Sequence, residues 1–279
     1  MSDKIFSPKG NFTKTNKIIG KGAYKIVYEG YDTIIGKKIA WNSVDVGFLK
    51  EKDVDMIKNE ISTLNSFNNE CDYIINFYGC WYNPDTTNLV FITELASSGT
   101  IKNFRNEMEI LSLKAIKRWF KQILLGIQFL HNKDIIHRDI KGDNIFINGN
   151  TGNIIIGDLG LSFKFKRLSD NSVVGTPEFM APELFDGDYD KKIDIYAFGL
   201  TLLEIVTNKT PYTECDTIVK IWKNKINKIQ PKLLSFVNNL EIKKVINDCI
   251  RFEPKLRPNV DVLLDYSFFS ENNNYYIES

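Results

Sequence analysis

The stretch Asp194 to Thr207, DIYAFGLTLLEIVT, is apolar nearly all round. A helix of that kind has no polar stripe to turn toward water, so it is stable only when buried on every side. The chain must therefore build a lobe thick enough to wrap it. Asp194, an N-cap type residue, is expected to open this helix.

Upstream the pattern has two parts. Lys17–Ile19, Lys25–Gly30, Lys37–Val44, Ile74–Tyr82 and Leu89–Glu94 are short β-like runs separated by turns, which predicts a small, mostly antiparallel sheet. Within Val54–Phe67 the residues Met56, Ile57, Ile61, Leu64 and Phe67 recur at helical spacing, so one helix, carrying Glu60, interrupts the strands. Ala96-Ser97-Ser98-Gly99 is a small-residue break. Beyond it Ile116, Trp119, Phe120, Ile123, Leu124, Ile127 and Leu130 form an apolar stripe. The expected class is α+β, a β-rich first lobe and a larger, mostly helical second one.

Charge narrows the partners. Lys and Arg number 36 against 35 Asp and Glu, a net charge of +1, which gives no electrostatic case for nucleic acid or an anionic membrane surface. Cys71, Cys80, Cys215 and Cys249 lack the spacing of a zinc or redox site and read as reduced thiols. No apolar run reaches the roughly 18 residues of a membrane span, and the first residues lack the apolar core of a signal peptide. The expectation is a cytoplasmic protein.

Two segments carry chemistry. Gly20-Lys21-Gly22-Ala23-Tyr24-Lys25-Ile26-Val27 links two strands, and its glycines let the backbone close over phosphates; alone it reads equally well as a hairpin turn. His137-Arg138-Asp139-Ile140-Lys141-Gly142-Asp143-Asn144 follows the amphipathic helix, and 14 residues beyond Asn144 comes Asp158-Leu159-Gly160. The pair resembles the catalytic and metal-binding loops of eukaryotic protein kinases, and other landmarks follow in order: Ala181-Pro182-Glu183, Asp194 and Arg257.

That resemblance implies the bilobal protein kinase fold over about residues 13–269, with an N-terminal extension 1–12, an N-lobe 13–95, a C-lobe 96–269 and a flexible tail 270–279. It implies ATP and Mg²⁺ as cofactors. Phosphoryl transfer needs positioning and charge neutralisation more than covalent help. By resemblance Asp139 orients the substrate hydroxyl, Lys141 steadies the γ-phosphate, and Asn144 with Asp158 holds the metal. Gly20, Gly22, Val27 and Ala40 would line the nucleotide site, with Thr93 as gatekeeper and Glu94 and Ala96 offering backbone groups to adenine. Lys141 and Gly175-Thr176-Pro177-Glu178 resemble the serine/threonine branch.

One part is out of place. The third strand of such kinases ends in a lysine that grips the α- and β-phosphates, but here it reads Ile39-Ala40-Trp41-Asn42. Lys25 replaces the third glycine of the glycine-rich loop and lies two residues from Val27, a spacing that puts both side chains on one face of a strand, toward the nucleotide. Lys38 shares parity with Asn42 but lies four residues away, about 13 Å along an extended strand. The vacancy, the replacement, Ala40-Trp41 and the stretches ITEL, IGDLGL and GTPEFMAPE resemble the with-no-lysine (WNK) kinases.

The WNK resemblance also implies regulation. Ser172 matches the autophosphorylated activation-loop serine, where a phosphate of about −1.5 to −2 charges would draw in Arg138. Leu159 and Leu161 match an inhibitory chloride pocket of backbone N–H groups and two leucines. Glu60 is left with two candidate partners, Arg138 and Lys25. Protein substrates, another kinase among them, and a transient homodimer for autophosphorylation are the implied partners. Two readings compete: a nucleotide-binding pseudokinase scaffold, motivated by Asn42, and a small-molecule kinase, disfavoured by the GTPEFMAPE segment.

Overall fold

The computed structural model describes residues 5–22, 24–164, 174–185 and 187–270. Strands β1 (Ile5–Phe6), β2 (Phe12–Lys21), β3 (Ile26–Asp32) and β4 (Lys38–Asp45) precede helix α1 (Glu51–Ser66), and β5 (Phe77–Asn83) and β6 (Asn88–Glu94) follow it. They form one antiparallel sheet in the order β1-β2-β3-β4-β6-β5. Val27 pairs with Asn42 and Asn42 with Phe91, while Ala40 pairs with Thr93. This register brings the proposed nucleotide-site residues side by side.

Helix α1 starts three residues before the apolar pattern does. Glu51 and Asp53 supply the extra turn, where carboxylates favour the positive end of the helix dipole. Ile57 packs with Val44 and Phe91 against the sheet, whereas Leu64 and Phe67 belong to the core of the second lobe. One helix thus touches both lobes and fixes Glu60 between them.

Residues 74 and 75 depart from the strand expected over Ile74–Tyr82. The N–H of Ile75 donates to Ile156 O at 2.9 Å, so the chain here serves the second lobe, and β5 begins only at Phe77. The small-residue break behaves similarly. Ser98 N donates to Ile147 O and Gly99 O accepts from Ile147 N, which pins the connection onto the second lobe.

The second lobe contains α2 (Ile101–Asn106), α3 (Leu113–Asn132), β7 (Ile135–Ile136), β8 (Ile145–Asn148), β9 (Asn153–Ile156), β10 (Phe163–Lys164), α4 (Lys192–Thr207), α5 (Ile218–Ile226), α6 (Leu240–Cys249) and α7 (Val260–Leu264). Thirteen of the 16 residues of α4 are buried. Gly199 lets α6 approach it closely, since a Cβ there would lie 2.6 Å from Cys249 Cβ. Asp194 does not open the helix as expected: α4 begins at Lys192, and Asp194 sits inside the first turn with its side chain fully buried. Its carboxylate has another task.

Candidate active site

The loop between β7 and β8 is held from below by that carboxylate. Asp194 accepts the backbone N–H of His137 (2.9 Å) and of Arg138 (3.0 Å), and lies 2.9 Å from His131 Nε2. Burial alone would raise its pKa, but His131 and His137 outweigh this and hold it below the ordinary aspartate value. A buried anion so bonded fixes loop shape at a point where Arg138 takes a left-handed φ of 68°.

His137 braces the same loop. Its Nδ1 accepts the N–H of Asp139 (3.2 Å), so Nε2 carries the proton and donates to Gly157 O (3.0 Å), joining the Asp139 loop to the Asp158 loop. Gly157 N donates in turn to Asn144 O at 2.9 Å, which sets Asn144 beside the residue preceding Asp158.

Asp139 is almost fully bonded. One oxygen accepts from Thr176 N (3.1 Å) and Thr176 Oγ1 (2.8 Å), the other from Asn144 Nδ2 and Lys141 Nζ, both at 2.8 Å. Thr176 reaches it because Gly175 turns with φ of 119° and passes under the Arg138 carbonyl, where a Cβ would come within 2.8 Å. The carboxylate is aimed, and two of its neighbours, Lys141 and Asn144, are the residues expected to handle phosphate and metal.

Lys25 lies one residue before β3, at the end of a tight turn in which Gly22 N donates to Lys25 O. Its ammonium is 2.9 Å from Glu60 Oε1, 3.5 Å from Asp158 Oδ1 and 5.7 Å from the centre of the Phe91 ring. Burial alone would lower its pKa; the two carboxylates outweigh it and raise the pKa above the ordinary lysine value. Asp158 is held below the ordinary aspartate value, the burial penalty being overcome chiefly by Lys25. Burial pushes the Glu60 carboxyl up against the pull of Lys25.

Asn42 is neutral, 5% exposed and occupied within the sheet, its amide donating to Thr93 Oγ1 (3.2 Å) and Phe91 O (3.3 Å). Lys38 is bound to Glu29 at 3.0 Å on the outer face with Lys17. Of the two candidate partners for Glu60, the structure shows Lys25. Arg138 instead donates from Nε to Leu161 O and from Nη1 to the Tyr189 hydroxyl.

Gly20 and Val27 face each other across β2 and β3, and Ala40, Thr93 and Glu94 are buried along the adjoining strands, with Ala96 just beyond. Leu159 is buried in the second-lobe core and Leu161 closes the short turn that Asp158 begins with φ of 54°. Ser172 lies outside the described residues. Among those residues no cluster of three or more His, Cys, Asp or Glu side chains could hold a metal; Mg²⁺ needs none, since it binds through one or two carboxylates together with substrate phosphates and water. The Asn144 and Asp158 pair fits that requirement.

Sequence reasoning missed Asp194 as the anchor of the loop, Tyr189 as a partner of Arg138, and the hydrogen bonds that occupy Asn42. The only signal for the first was a carboxylate, one of two with Glu204, in an otherwise apolar run. No helix among the described residues is long and apolar enough to cross a membrane.

The chain matches the protein kinase domain family over residues 13–269. It is 39% identical over 276 residues to the serine/threonine-protein kinase Wnk of Drosophila melanogaster, covering 98% of this chain and 11% of that protein. Identity to the serine/threonine-protein kinase WNK3 of Mus musculus is 38% over 276 residues, 98% of this chain and 16% of the relative. For the probable serine/threonine-protein kinase WNK5 of Oryza sativa subsp. japonica it is 40% over 269 residues, 94% and 81%. The chain therefore spans a small part of the two animal relatives and most of the rice one. With 40% identity over most of both chains to the rice relative, this chain belongs to the WNK family of protein kinases.

Proposed function

We propose that this chain is an ATP- and Mg²⁺-dependent protein serine/threonine kinase in which Lys25, from the glycine-rich loop, supplies the cation that other kinases draw from the third strand. One observation carries the reading: the Lys25 ammonium contacts both Glu60 and Asp158 while Asn42 is bonded inside the sheet. Bound Mg²⁺ would neutralise charge on the transferring phosphoryl group.

The chain's own residues do the rest. Gly20 and Gly22 bring backbone close to the phosphates, and Val27, Ala40 and Thr93 bound the adenine side, with the backbone of Glu94 and Ala96 at its edge. Asp139 receives the substrate hydroxyl on a carboxylate already aimed by Thr176 and Asn144, which lowers the entropic cost of alignment. Lys141, 2.8 Å from Asp139, meets the phosphoryl oxygens as they approach. Asn144 and Asp158 hold the metal. The lobes share this work, residues 13–95 supplying the glycine-rich loop and Lys25, and 96–269 supplying Asp139, Lys141, the metal-holding pair and the surface for the protein substrate.

With γ-labelled ATP, Mg²⁺ and dephosphorylated casein, the protein should label serine and threonine and leave tyrosine unlabelled. Saturable ATP binding without transfer would favour the scaffold instead.

A further inference from the structure

Helix α5 carries lysines at 220, 223 and 225, of which the first two face water and the third is 2% exposed. Lys225 Nζ donates to three backbone carbonyls, those of Pro177 (2.8 Å), Glu178 (2.9 Å) and Met180 (2.7 Å). An ammonium has three N–H bonds, so every one is used. The rings of Tyr212 and Tyr196 lie 5.0 and 5.5 Å from the same nitrogen. Burying a lysine costs several kcal/mol, and such a cost is met only by a dense set of partners.

The three carbonyls follow directly on Thr176, whose N–H and hydroxyl hold Asp139. A single side chain of α5 therefore anchors the backbone that leads to the proposed base. We propose that Lys225 is a positioning residue that holds the run Thr176–Met180 in the shape on which a protein substrate lies. The inference rests on the protein kinase reading above.

Charge is what makes this anchor work, because a neutral amine has only two N–H bonds for three carbonyls. Burial pushes Lys225 down to about 7, against Glu178, Cys215 and Glu183, which pull it up. The other groups around it are Tyr196, pushed up to about 12, Tyr212, also raised, and Arg257 beyond Tyr196. Burial raises Cys215 as well.

The test compares wild type and Lys225→Met in casein phosphorylation and in casein-free ATP hydrolysis. The variant should keep the KM for ATP in hydrolysis and raise the KM for casein about tenfold. Unchanged casein KM, or casein and ATP constants that move together, would overturn the proposal. Should Lys225→Met not fold, the wild type answers through pH: its casein KM should climb as pH rises through about 7 while its ATP KM stays level. A casein KM flat across that range overturns it too. A wild type that hydrolyses ATP yet never phosphorylates casein would instead count against the kinase reading.

Discussion

Removing Glu183 should destabilise the second lobe more than any surface change. Arg257 is 1% exposed, and its five N–H groups are all filled: two by the Glu183 carboxylate, and one each by the carbonyls of Lys192, Phe252 and Arg251. Glu183→Ala would leave a buried cation with two empty donors, a loss of about 3–5 kcal/mol for breaking a buried pair from one side. For a domain of this size each kcal/mol moves Tm by about 2–4 °C, so the melting temperature should fall by about 6–20 °C. The double variant Glu183→Leu with Arg257→Met removes both charges and should recover most of that loss. Calorimetry of the three proteins is the assay. A drop below about 3 °C in Glu183→Ala, or a double variant worse than the single one, would refute the reasoning.

Gly175→Ala should cut phosphoryl transfer about tenfold to a hundredfold and cost about 1–3 kcal/mol of stability, because a Cβ at this positive φ is strained and meets the Arg138 carbonyl, pushing Thr176 away from Asp139; turnover at saturating ATP, measured on protein shown to be folded, checks it. Asp194→Ala leaves the N–H groups of His137 and Arg138 without an acceptor, at about 1–3 kcal/mol each. Since the folded pKa of Asp194 is depressed below 3.8, that carboxylate's contribution is complete above its unfolded value and disappears as pH falls through the folded one. The stability gap between wild type and Asp194→Ala, measured by urea unfolding, should be level from about pH 5 to 8 and narrow only below 3.8. A gap that widened in acid would contradict the assignment.

Much of this arrangement was legible because the decisive residues are contiguous or repeat at a fixed period. The loop 137–144 is one uninterrupted run, and α4 announces its burial by lacking a polar side. The position of Lys25 near Glu60 and Asp158 was readable because parity on a strand links Lys25 to Val27, although the structure starts β3 one residue later. What stayed hidden depends on residues far apart in sequence. Ile74 and Ile75 look like strand, yet Ile75 gives its N–H to Ile156. Asp194 has the residue type of a cap, but the backbone groups it accepts belong to residues 56 and 57 positions away. Lys225 reads like its neighbours on an amphipathic helix, and only the packed structure shows that it is buried. The choice of Glu60 for Lys25 over Arg138 is likewise set by how α1 spans the two lobes.

The central claim, that the phosphate-gripping charge comes from Lys25, is tested most directly by measuring phosphoryl transfer for wild type, Lys25→Met and Asn42→Met side by side. Loss of one preorganised cation should lower turnover of Lys25→Met by about 10²–10³-fold, whereas Asn42→Met should stay within about tenfold of wild type. Full activity in Lys25→Met together with an inactive Asn42→Met would contradict the account.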